Sequence, residues 1–153
     1  MLDDDDRWEP MNFYLSAEDY YKSAISIVQA WESGNLCMNF PLSVPYYLFS
    51  HTVELALKGF LRAKGVSKKN LKKKYVHNFR KLIDDCIKRD LPLEKSECKT
   101  AIEWLAEYDR EAINFRYVRS GFMTLTDIKS TMLNVERILS IVLPACERAR
   151  DKE

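Results

Sequence analysis

Glycine is scarce in this chain, with four among 153 residues, and no alternating apolar–polar run is present. Both absences argue against a β-sheet protein and for a helical one. No glycine-rich phosphate loop and no nucleophile elbow occurs, so the commonest signatures of nucleotide hydrolysis and acyl transfer are missing. Histidine is scarcer still: only His51 and His77. A zinc-protease HExxH helix is therefore excluded. The four cysteines, Cys37, Cys86, Cys98 and Cys146, stand far apart. Paired CxxC metal spacing is absent, and free thiols in a reducing compartment are the simplest reading. No apolar run reaches membrane-spanning length, and MLDDDDRWEP is acidic where a signal peptide would be basic. A cytoplasmic protein with no metal and no cofactor is expected. The net charge of +1 gives no global pull towards nucleic acid or anionic lipid.

What is present is a soluble composition, 46% hydrophobic and 31% charged. This length supports one domain with a real core. Residues 1–15 read as an acidic arm in which Asp3 to Asp6 repel one another, and residues 16–150 read as a helical domain. Ser16, with Asp19 three residues on, is placed to cap a first helix over Ala17 to Ser33. Its expected inner side carries Tyr20, Tyr21, Ala24, Ile27, Val28 and Trp31, and Gly34-Asn35 should end it. A second helix is expected from Val44 or Pro45 to Gly65. At 100° per residue, Val53, Ala56, Leu57 and Phe60 fall within about 80° of Phe49. It is the most apolar segment and should be central. A lysine-rich connection follows from Ser67 to Tyr75. Asn78 can cap a third helix through Lys88, and Asp90-Leu-Pro-Leu is a turn. A fourth helix is predicted from Ser96 to Asn114, then a loop over Phe115 to Thr124. Thr126 should cap a last helix that Pro144 kinks or ends.

Three constellations can carry chemistry. On the second helix His51, Glu54 and Lys58 stack at spacings of three and four, in a lane with Tyr47 and Arg62. Histidine beside a carboxylate and an ammonium can act as general base, proton relay or phosphate binder. The same spacing also describes a plain Glu–Lys ion pair with a half-buried histidine. The second constellation runs from Arg62 to Lys81, with nine positive residues and no Asp or Glu. Lys68, Lys69, Lys72, Lys73 and Lys74 form its centre. Such a run can contact RNA or DNA phosphates, or be a solvated surface balanced by acidic residues elsewhere. The third is Arg110, Arg116, Tyr117 and Arg119, expected at a helix end. There arginines satisfy the last carbonyls, or offer a fork to a phosphate or a partner carboxylate.

Taken together, AEDYYKSA, PYYLFSHTVELALKGFLRAKG, KKKYVHNFRKLIDDC and YDREAINFRYV resemble the HEPN superfamily over about residues 17–142. The shared pattern is HxxELxLKxxLxxxG, then YxHN, then Arg116-Tyr117. The resemblance implies an all-α up-down bundle of four to five helices with a central second helix, usually a homodimer with a cleft at its interface. It implies either a metal-independent endoribonuclease of toxin–antitoxin or defence systems, or a non-catalytic module. The non-catalytic members bind nucleotides, RNA or a partner protein such as a nucleotidyltransferase or antitoxin. The family's RNase motif places a histidine shortly after an arginine. Here Arg110 is followed at that distance by Phe115, Arg116 and Tyr117, and Lys72 precedes His77 with lysine in the arginine's place. A divergent or non-catalytic module is therefore expected, binding phosphates through Lys68 to Lys74 with Arg116 and Arg119. The alternative is RNA cleavage in which His51 or His77 replaces the missing histidine, supported by Glu54, Lys58, Arg110 or Arg116.

Overall fold

The computed structural model describes residues 8–40, 42–76, 78–93, 97–108 and 127–152. They form α1 (Pro10–Glu32), α2 (Ser43–Ala63), α3 (Lys68–Lys74), α4 (Phe79–Ile87), α5 (Glu97–Tyr108) and α6 (Ile128–Arg150). Among the described residues there is no strand. The protein is all-helical, and no described helix is long and apolar enough to cross a membrane.

Helix boundaries follow local chemistry. Gly65 takes the left-handed φ of 84° that ends α2. Its N–H donates to the Arg62 carbonyl at 2.9 Å, and the Val66 N–H to the Leu61 carbonyl at 2.9 Å. This is a Schellman ending, which needs glycine because a Cβ disfavours that backbone conformation. Gly34 closes α1 in the same way. The Ser67 hydroxyl caps α3 by accepting from the Asn70 N–H at 3.3 Å, and the Asn78 side chain caps α4 by accepting from the Lys81 N–H at 3.0 Å. Asp90, at φ 65°, turns the chain after α4.

Three boundaries differ from the sequence expectation. Helix α1 starts at Pro10 rather than Ala17, because proline suits the first helical position, where the missing N–H has no partner to lose. Pro10, Phe13 and Ala17 then continue the buried stripe at spacings of three and four, and Ser16 is an exposed mid-helix residue. Asp127, next to the expected Thr126, caps α6 by accepting from the Ser130 N–H at 2.8 Å. Pro144 does not end α6, which runs six residues further to Arg150. Pro144 faces solvent, where water can satisfy the carbonyl it leaves unbonded, while Val142, Ala145 and Cys146 are buried around it. Tyr20, expected inside, is 38% exposed. Residues 1–7, Ala112, Asn114 and the expected loop over Phe115 to Thr124 lie outside the described residues.

Helix α2 is the centre. It packs against α1, α4, α5 and α6. Phe49, Val53, Ala56, Leu57 and Leu61 lose all solvent contact. Each fully buried large side chain stabilises by about 1.5–3 kcal/mol. A Cβ on Gly59, near the end of α2, would lie 3.0 Å from Phe13 Cβ and from the Pro10 carbonyl, both at the start of α1. Further along α1, Tyr21 packs on Phe49 at 6.1 Å and its hydroxyl donates to the Met132 carbonyl of α6 at 3.4 Å. Helices α1 and α2 are therefore antiparallel. Cys146, late in α6, also faces Gly59, so α2 and α6 run parallel. The start of α1 and the ends of α2 and α6 thus share one end of the bundle.

Candidate functional site

The polar lane of α2 is neither a solvent window nor a sealed core. Tyr47, His51, Glu54, Lys58 and Arg62 are all half-buried, and the side chains of His51, Glu54 and Lys58 are 25%, 30% and 21% exposed. Lys58 Nζ donates to Glu54 Oε1 at 2.5 Å, and His51 Nδ1 lies 3.7 Å from Glu54 Oε2. The Glu54 carboxyl feels opposing influences. Burial pushes its pKa up, but the neighbouring His51 and the charge and hydrogen bond of Lys58 outweigh that and hold it at about 2. Tyr20 of α1 meets the His51 ring edge-on at 4.5 Å, and Tyr47 lies parallel to it at 6.2 Å. The imidazole thus contacts two phenol rings, one from α1 and one from its own helix. Lys58 and Glu54 satisfy each other, so Lys58 is not a free cation for a phosphate.

Arg62 closes the lane with a structural task. Its Nε donates to the Trp8 carbonyl and its Nη1 to the Val66 carbonyl, both at 2.8 Å. These bonds tie the chain entering α1 to the chain leaving α2. Trp8 in turn packs edge-on against Phe13 at 5.7 Å.

The lysine-rich connection is an ordered element. Leu71 and Tyr75 are its buried anchors, and the Tyr75 hydroxyl donates to Asp85 Oδ2 of α4 at 2.6 Å. Burial first, then that bond and the Asp85 charge, push the Tyr75 phenol up to about 12, so it stays a donor at neutral pH. The ammonium groups of Lys68 and Lys72 lie 5.4 and 4.8 Å from the Trp8 ring centroid, a cation–π arrangement. Lys69, Lys72, Lys73 and Lys74 are exposed. Among the described residues no carboxylate pairs with any of these four.

His77, Arg110, Arg116 and Arg119 lie outside the described residues, so the structure brings together His51, Glu54 and Lys58 on one side and the α3 lysines on the other. Trp8 and Tyr20 are the contributors that sequence spacing did not reveal. Trp8 carried a faint signal as the aromatic residue two before a helix-starting proline. Among the described residues no three His, Cys, Asp or Glu side chains gather closely enough to hold a metal, and all four cysteines are free. Burial raises the Cys86 and Cys146 thiols, which keeps both as inert packing groups. Comparison of the chain with protein-family models, with curated proteins and with solved structures returns no match.

Proposed function

We propose that the protein is an RNA-binding helical module, HEPN-like in plan, that grips phosphates through the exposed lysines of α3. The observation that carries this reading is the charge state of that helix. Lys69, Lys72, Lys73 and Lys74 have no carboxylate partner among the described residues, and the helix is fixed by Leu71, Tyr75 and Ser67. Like charges on one short helix repel and cost stability. A polyanion removes that cost and gains by releasing its own counterions. Binding is preferred over RNA cleavage through His51, because Glu54 and Lys58 neutralise each other beside it and leave no free cation in the lane to stabilise a reacting phosphate.

The test is RNA binding by fluorescence anisotropy at two salt concentrations. Four phosphate contacts on a single strand, one for each exposed lysine of α3, give a slope of about −2.8 in log affinity against log salt. Affinity then falls roughly 150-fold between about 50 and about 300 mM salt. Absent binding at the lower concentration, or binding that salt does not weaken, refutes the reading.

A further inference from the structure

Beyond α3, the same end of the bundle carries a second cationic feature. The turn after α2 and the last turns of α6 enclose an open hollow of ≈ 320 Å³. Its cationic lining is Arg62, Lys64, Arg148 and Lys152, and its other lining residues are alanines and a glycine. No carboxylate lines it. Among the described residues none pairs with Lys64, Arg148 or Lys152. Glu147 and Asp151 are close in sequence but are not in the lining, and Asp151 faces Arg150 at 3.7 Å.

We infer that this hollow is a phosphate-binding site, in which Arg62, Lys64, Arg148 and Lys152 surround the anion over a floor of small residues. Three features support it. Arg62 is held rigid by its two carbonyl contacts, while its Nη2 has no acceptor among the described residues. A pinned guanidinium with an unused edge is preorganised for a phosphate oxygen. Arg148, in the last turn of α6, and Lys152, two residues past its end, line the same hollow, where like charges repel unless an anion intervenes. The small floor leaves room for a group larger than water. Cations do favour helix C-termini, but the two helix ends here contribute roughly −0.5 charge each. That does not balance four full positive charges.

The hollow also joins the α3 surface. Arg62 bonds the Trp8 carbonyl, and Lys68 and Lys72 lie over the Trp8 ring. A strand lying along α3 can therefore place a phosphate in the hollow; this extension, unlike the hollow itself, rests on the RNA-binding reading. The phosphate belongs either to such a strand or to a free polyphosphate, and two arms separate them.

The experiment compares the full chain with Arg148→Gln/Lys152→Gln and with Lys72→Gln/Lys73→Gln. All four residues are exposed, so circular dichroism should show unchanged folding. One arm measures pyrophosphate binding by calorimetry; the other measures the RNA salt slope. The α6 pair should weaken pyrophosphate binding at least tenfold, while the α3 pair leaves it within twofold. If RNA also uses the hollow, the α6 pair reduces the RNA salt slope by about 1.4, the value for two lost phosphate contacts. Pyrophosphate binding without RNA binding retains the hollow as a free-phosphate site and refutes the proposed function. RNA binding that only the α3 pair weakens, with no pyrophosphate binding, overturns the inference and retains the function. No binding in either arm overturns both.

Discussion

Replacing Glu54 with glutamine isolates the energetic role of the α2 lane. The carboxyl titrates at about 2 in the fold against the usual 4.5 for a glutamate. That gap corresponds to an upper limit of about 3 kcal/mol of stability at neutral pH. The side chain is 30% exposed, so solvent screening reduces the figure to about 1–2 kcal/mol. The sign follows from the lowered pKa. The contribution is complete above about pH 4.5, where both states are ionised. It fades as pH falls towards about 2, because the unfolded chain takes up its proton first. Glu54→Gln should therefore lower stability by about 1–2 kcal/mol at neutral pH, and the gap to wild type should shrink to under half by about pH 3. Urea unfolding of both proteins across that range reads the difference directly. A gap that is absent at pH 7, or equally large at pH 3, refutes the electrostatic account of the lane. Adding Lys58→Met to the variant should recover part of the loss, since the single substitution leaves a half-buried ammonium without its carboxylate.

Other parts of the fold make equally definite predictions. Gly59→Ala pushes a methyl group to 3.0 Å from Phe13 Cβ and the Pro10 carbonyl, and should cost about 1–3 kcal/mol in chemical denaturation. An unchanged midpoint would mean α1 shifts freely on α2. Pro144→Ala restores an N–H for the Ser140 carbonyl at an exposed position of α6, and should raise the thermal midpoint, with a gain of about 1–3 kcal/mol. A lower midpoint would show that the proline geometry is required by the packing of Ala145 and Cys146. Tyr75→Phe removes the 2.6 Å bond to Asp85 and should cost about 1–1.5 kcal/mol in urea unfolding. No loss would mean α3 is held by burial of Leu71 and of the ring at position 75, without the hydroxyl.

The parts of this fold that were legible in the sequence are those governed by local chemistry. Gly34 and Gly65 mark helix ends because they alone take the required backbone angle without strain. Asn78 marks a start because its side chain reaches the Lys81 N–H. The inner face of α2 follows from 100° periodicity, since Phe49, Val53, Ala56 and Phe60 have one neighbouring core to enter. What was misread depends on contacts distant in sequence. Ser16 and Asp19 form a plausible cap, but Phe13 and Tyr14 are buried, and that burial favours extending α1 back to Pro10. Pro144 can kink or end a helix; it does not end α6, because its neighbours Val142, Ala145 and Cys146 are anchored in the core. The site divides along the same line. The Glu54–Lys58 pair is one helical turn and could be read directly. Tyr20 against His51 and Trp8 beneath Lys72 join residues far apart in the chain, and no spacing announces them.

Charge pairing along α2 separates stability from binding. Lys58 is neutralised by Glu54, and Arg62 commits two of its donors to backbone carbonyls. Beyond that point the balance changes: Lys64, the exposed α3 lysines and the last cations of α6 have no carboxylate opposite them among the described residues, except Arg150, which faces Asp151. Substitutions on the two sides should then have opposite signatures. Glu54→Gln should lower the unfolding midpoint and leave the RNA salt slope intact, because no phosphate reaches the Glu54–Lys58 pair. Lys72→Gln/Lys73→Gln should lower the salt slope by about 1.4 and leave the midpoint nearly unchanged, because relieved repulsion on α3 offsets the lost Lys72–Trp8 contact. Measuring both quantities on both variants gives a two-by-two comparison. If Glu54→Gln changes the salt slope, the lane belongs to the binding surface and the separation fails. If the lysine pair lowers stability as much as Glu54→Gln does, the α3 charges serve the fold, and the principal support for phosphate binding is lost.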